Sequence, residues 1–176
     1  MGNTANLVLL EANHSPFLAR PILRGAKNSI PVFWFALFSA GDSHVFELPL
    51  SDGTTLPVPG FCAPLETAVQ RLSHRAPLLQ SWLPRELHHF LAEFRLEVEG
   101  QTAPRIGLDT AELALLHESD DDLQHWLRES TGAFEDPEPD ALTGLFDVTG
   151  LEFDVTAGRV VSWDDRLAQY ALGGYR

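Results

Sequence analysis

The nine residues Ile30-Pro31-Val32-Phe33-Trp34-Phe35-Ala36-Leu37-Phe38 contain no polar side chain. A run of this kind has no face to offer water, so other elements must enclose it whatever conformation it takes. It is about half as long as the roughly 20 residues that a membrane-spanning helix requires. Periodicity cannot separate helix from strand where nearly every position is apolar, but the flanks favour a helix. Asn28 or Ser29 can cap it, Pro31 suits its first turn, and Gly41 lies just past its end. The expectation is a short, nearly fully buried helix, with a central strand as the alternative.

The rest of the chain holds enough apolar material to enclose that run: 44% of the residues are hydrophobic, with eleven Phe and four Trp. At 176 residues the chain has the size of one domain of about 100–200 residues. Its lone cysteine, Cys62, cannot form an internal disulfide and reads as a small buried hydrophobe in a reducing compartment. Met1-Gly2-Asn3-Thr4-Ala5-Asn6 carries no basic segment, and Leu7 to Leu10 is too short for a secretory h-region. A cytoplasmic protein is expected.

Ala5 to Ala12 reads as a first strand and Asn13-His14-Ser15-Pro16 as a turn. Phe17 to Lys27, with Pro21 and Gly25, stays ambiguous. His44 to Leu50 and Thr54 to Val58 form a predicted hairpin across Ser51-Asp52-Gly53, with Pro49 and Pro57 placing it at a sheet edge. Pro64 to Leu83 has helical spacing that Pro77 is expected to interrupt. A second helix opens at Leu83-Pro84-Arg85-Glu86, carries Leu87, Phe90, Leu91 and Phe94 on one face, and passes into a strand over Arg95 to Glu99. Arg105 to Leu108 suggests a strand ahead of a helix capped by Asp109 or Thr110. Another helix, capped by Ser119 or Asp120, runs to about Ser130 and closes at Gly132. Gly150 to Val155 and Arg159 to Trp163 suggest a final strand pair. These elements make an α+β fold, a single domain with a partly antiparallel sheet packed against helices.

Charge is divided unevenly along the chain. Of 25 acidic residues, eighteen lie from Leu96 onward against five of the twelve Lys and Arg, and the net charge of −13 resides entirely in that half. Phosphate backbones and anionic membranes need basic surfaces, so nucleic-acid and membrane partners are disfavoured and a cationic partner is favoured. Between Glu118 and Asp140 nine residues are acidic, and Arg128 is the one Lys or Arg.

Known chemical motifs do not account for that segment. Asp120, Asp121 and Asp122 point in different directions around a helix start, and no calcium-loop pattern follows them. His117 and His125 are separated by a helix break at Ser119. His88 and His89 are adjacent, about 100° apart on a helix, and share no face. No nucleophile elbow, phosphate loop or catalytic Cys–His pattern occurs, and Asp164-Asp165 reads as a solvated turn. Neither a catalytic residue nor a metal or cofactor is expected. A docking face remains: Asp120, Asp121, Asp122, Glu135, Asp136, Glu138 and Asp140 as its charges and Trp126 as its anchor. The competing reading makes these carboxylates a solubility device and turns Trp126 and Leu127 toward the core.

Gly2-Asn3-Thr4-Ala5-Asn6-Leu7-Val8-Leu9, followed by the Ile30–Phe38 segment, resembles the start of small bacterial immunity proteins encoded beside polymorphic or secretion-system toxins. The resemblance spans about the first forty residues and transfers no site. It implies a cytoplasmic, acidic, cysteine-poor inhibitor that occludes a basic toxin. An adaptor or chaperone for a secreted effector, and an enzyme with an unrecognised carboxylate or His site, are the alternatives.

Overall fold

The computed structural model describes residues 3–11, 21–114 and 120–175, without the side chain of Asp120. Five strands form one antiparallel sheet: β1 (Thr4–Leu10), β2 (Ile22–Lys27), β3 (Ser43–Pro49), β4 (Thr55–Pro64) and β5 (Arg105–Asp109), in the order β2-β1-β5-β4-β3. A separate antiparallel pair, β6 (Leu151–Asp154) and β7 (Arg159–Trp163), completes the strands of the described residues. The α+β expectation holds. Thr4 to Leu10 is the second strand of the sheet, and Ile22–Lys27, part of the ambiguous stretch, is its edge. The Asn13–Pro16 turn lies outside the described residues.

The apolar run forms the short helix α1 (Val32–Phe35), and every residue from Ile30 to Phe38 is fully enclosed. Its start differs from expectation. Pro31 occupies the N-cap with no side-chain bond, and neither Asn28 nor Ser29 caps it. Asn28 instead takes a left-handed turn with φ 63° between β2 and the helix, a conformation asparagine tolerates better than most residues. The hairpin turns where predicted, with Gly53 at φ +86°, but its second strand runs on to Pro64 and only β3 is an edge strand. Pro57 is accommodated because only residues 61–64 of β4 pair with β5. The segment carrying Pro57 has β3 alone as its neighbour.

Helix α2 (Leu65–Trp82) continues through Pro77 without the expected interruption. An interior proline costs about 3 kcal/mol. The ring sits on the exposed side, while Leu72, Ala76, Leu79 and Trp82 are buried on the other. At roughly 1.5–3 kcal/mol for each large side chain, that stripe outweighs the break. Helix α3 (His88–Glu99), entered through a 3-10 turn at Arg85–Leu87, likewise continues past Arg95, so the strand expected over Arg95–Glu99 is absent. Burial of Phe94 and Val98 carries the Leu87–Leu91 stripe one turn further.

Four shorter or later helices follow: α4 (Ala111–Ala114), α5 (Asp120–Gly132), α6 (Pro139–Leu145) and α7 (Ala168–Gly173). Helices α2 and α5 pack on β4, and α7 joins α1 to α3. The C-terminal segment is bonded inward. Trp34 Nε1 donates to the Gly173 carbonyl at 2.9 Å, and Arg24 donates to that of Gly174 at 3.1 Å. Tyr175 exchanges backbone hydrogen bonds of 2.7 and 2.8 Å with Gly25 on the outer edge of β2. That contact covers part of a sheet edge that is otherwise unpaired among the described residues.

Candidate acidic docking face on α5 and α6

Helix α5 has one buried stripe, Leu123, Leu127 and Ser130, and one exposed side with Asp121, Asp122, His125, Arg128 and Glu129. This division follows from helical geometry, since residues three or four apart share a face. Beyond it the chain turns inward at Ala133 and Phe134, then outward from Glu135 to Asp140, all exposed. Pro139 opens α6 at its first turn, where a missing N–H costs nothing. Asp140 in the same turn complements the helix dipole, worth roughly 0.3–1 kcal/mol. Leu142 and Leu145 then fasten α6 to the core.

The predicted charges fall into two groups. Asp121 and Asp122, with Asp120 beside them in the chain, stand at the start of α5. Glu135, Asp136, Glu138 and Asp140 cluster beyond its end. Thirteen helical residues at 1.5 Å each put about 20 Å between the groups. Glu129 lies between them and takes a 3.2 Å contact from His125 one turn earlier.

Trp126, the expected anchor, is turned inward and half-buried. Its ring meets Phe35 edge to face at 5.5 Å, and Nε1 donates to the Gly144 carbonyl at 3.3 Å. It ties α5 to α1 and α6. Leu127 is buried, as the competing reading had it.

Arg75 was not among the sequence candidates. Its guanidinium is buried under Phe134, with Cζ 5.0 Å from the ring centroid, and donates to the carbonyls of Ala36 and Phe38 and to Glu135 at 3.4 Å. Burial pulls its pKa below the usual arginine range; Glu135 opposes that, Arg71 adds to it, and Asp42 opposes it again. Arg71 donates to Asp42 and to the Leu37 carbonyl. Both arginines therefore satisfy carbonyls left open where the apolar run ends, a requirement of any buried helix terminus. They also line a groove of about 530 Å³ with His74 and Phe134. Each guanidinium there already faces a carboxylate. A signal for Arg75 did exist in the sequence: Leu72, Arg75, Ala76 and Leu79 follow the i, i+3, i+4, i+7 pattern, which puts the arginine on the apolar stripe.

The other candidates take local roles. His88 Nε2 contacts the carbonyls of Gln80 and Leu83, and His89 Nδ1 that of Glu86. Asp164 accepts the Arg166 amide and Asp165 the Trp163 indole, as turn residues do. Cys62 is half-buried and takes an Arg105 Nε contact at 3.1 Å from the neighbouring strand. His117 lies outside the described residues. Among the described residues no group of three His, Cys, Asp or Glu converges as metal ligands would, and no helix is long and apolar enough to cross a membrane. No family model, curated protein or solved structure matches the chain.

Proposed function

We propose that this protein is a stoichiometric binding inhibitor of the immunity type, and that α5, α6 and the turn between them form the face that occludes a cationic partner. The observation that carries this reading is the pairing of exposed acid with a fixed support. Asp121, Asp122, Glu129, Glu135, Asp136, Glu138 and Asp140 are exposed alongside one arginine, Arg128. Beneath them Leu123, Leu127, Phe134, Leu142 and Leu145 are buried in the core. A support ordered before binding reduces the entropy lost on association. Dense negative charge speeds encounter with a basic surface and disfavours acidic competitors.

A standard interface covers about 800 Å² per partner, roughly 30 Å across. One partner can therefore span both acid groups, which tests the reading at two sites. A pull-down at low salt from the native host should retain one basic protein, with retention falling as ionic strength rises. Asp121→Lys/Asp122→Lys and Glu138→Lys/Asp140→Lys should each weaken that capture, chiefly through slower association. Loss of the partner's activity in the complex distinguishes an inhibitor from an adaptor. Unchanged affinity in both double variants at low salt rules this face out.

A further inference from the structure

A second groove, of about 620 Å³, lies between the C-terminal end of α2, the turn into α3 and strand β7. Arg85, His88, Arg159 and Trp163 line it with Leu83 and Val161, and among the described residues no carboxylate does. This composition is unusual in a chain with 25 acidic residues against twelve Lys and Arg. Arg24, Arg71, Arg75 and Arg95 each face an acid. Among the described residues neither Arg85 nor Arg159 has an acidic partner.

Three of the nearby acids are engaged elsewhere. Asp154, opposite Arg159 in the β6–β7 register, accepts the amides of Thr156 at 2.8 Å and Ala157 at 3.0 Å. Asp165 holds the Trp163 indole at 2.9 Å, and Asp164 accepts the Arg166 amide at 2.8 Å. Glu86 is exposed and does not line the groove. Two of the side chains are also fixed in place. His88 Nε2 meets two carbonyls, at 3.1 and 3.0 Å; both are acceptors only, so this nitrogen carries a proton and donates. Trp163 is pinned through its indole N–H.

We propose that this groove binds a small organic phosphate, its phosphoryl group held by Arg85 and Arg159 and its planar body against Trp163. Guanidinium forks match phosphate oxygens in geometry. A phosphate monoester carries roughly 1.5 to 2 negative charges at neutral pH, which offsets two guanidiniums where one carboxylate offsets one. The volume falls within the roughly 300–1,000 Å³ of small-molecule sites. Leu83 and Val161 supply apolar walls beside the ring. Nothing in this site draws on α5 or α6, so it stands or falls apart from the docking face.

The test is a titration of ¹⁵N-labelled protein with phenyl phosphate, inorganic phosphate and chloride at one ionic strength, following the indole cross-peaks of the four tryptophans. Trp163→Phe assigns its own peak. Phenyl phosphate should shift the Trp163 peak saturably, and inorganic phosphate should bind more weakly. Arg85→Gln and Arg159→Gln should each weaken binding by about tenfold, as expected for loss of a charge-assisted hydrogen bond. Both side chains are exposed, and matching circular dichroism checks that the variants fold. Arg128→Gln, an exposed arginine elsewhere, should bind like the unaltered protein. No saturable shift, equal affinity in the Arg85→Gln/Arg159→Gln protein, or an equal loss in Arg128→Gln overturns the site. Equal affinity for the two phosphates overturns the placement of the ring on Trp163.

Discussion

Arg75→Met separates two views of how the acidic turn is held. In one, the Arg75–Glu135 ion pair fastens the turn; in the other, the arginine acts chiefly on the end of the apolar run. Glu135 is 64% exposed and its contact is 3.4 Å long, so the pair is worth at most about 1 kcal/mol. The carbonyls of Ala36 and Phe38 belong to residues with no solvent exposure. Removing the guanidinium leaves both without this charged donor, at about 1.5–3 kcal/mol each. Methionine keeps most of the packing of the arginine stem. The Ala36 bond is long, at 3.3 Å, which favours the lower end, and the net cost is about 3–4 kcal/mol. At about 2–4 °C per kcal/mol for a chain of this size, Arg75→Met should lower Tm by about 10 °C and Glu135→Gln by no more than about 4 °C. Thermal melts followed by circular dichroism measure both. The Glu135→Gln effect should fade in high salt while the Arg75→Met effect persists. Equal losses in the two variants, or a cost below about 1 kcal/mol for Arg75→Met, would refute this account of Arg75.

Three further substitutions probe the scaffold. A Cβ on Gly60 would stand within 2.4 Å of the Leu108 carbonyl oxygen, so Gly60→Ala must push β4 from β5 and should cost about 3 kcal/mol in a urea melt. Gly132→Ala meets nothing within 4 Å at the end of α5 and should be neutral, or stabilising by up to about 1 kcal/mol. Asp52 accepts the Thr54 hydroxyl at 2.6 Å and the Thr54 amide at 3.0 Å in the hairpin turn. These bonds, the hydroxyl foremost, hold its carboxyl below the ordinary aspartate value. The folded pKa thus lies below the unfolded one, near about 3.9. Its contribution is complete above that pH and disappears as pH falls through the lower folded value. Asp52→Asn should flatten the acid limb of the stability profile, and an unchanged acid slope would count against the turn bonds.

Local chemistry made much of this fold legible. Asp52-Gly53 announces a turn that requires a positive φ, and an apolar run without polar breaks can only be central. What failed were the places where burial overrode a local signal. Pro77 looked like a break because its cost is local, while the stripe that outweighs it is tertiary. Arg95 to Glu99 looked like a strand because Phe94 and Val98 acquire their helical meaning only once the Leu87–Leu91 face is known to be buried. The sheet order β2-β1-β5-β4-β3 depends on pairings between distant segments, and no turn motif encodes them. The acidic residues were legible as exposed, but their division into two groups depends on where the helix ends fall. Trp126 was ambiguous from the start, since a tryptophan beside a leucine on an acidic helix can face either way. Contact with Phe35 decided it.

Counting charge along the sequence also differs from counting it in space. Arg24 and Arg75, from the electrically balanced half, turn inward and meet Glu97 and Glu135 of the acidic half. Both arginines are buried, while Asp109 is the one buried carboxylate among the described residues. The fold therefore takes bases into its interior more readily than acids, and its surface is poorer in cations than the composition alone suggests. A basic protein approaching such a surface meets attraction over a broad area, strongest where α5 and α6 concentrate the exposed acid. A small anion meets the opposite field and gains nothing from long-range steering. It can bind only where cations lie within hydrogen-bond reach and lack acids of their own, and among the described residues Arg85 and Arg159 meet that condition within a single groove.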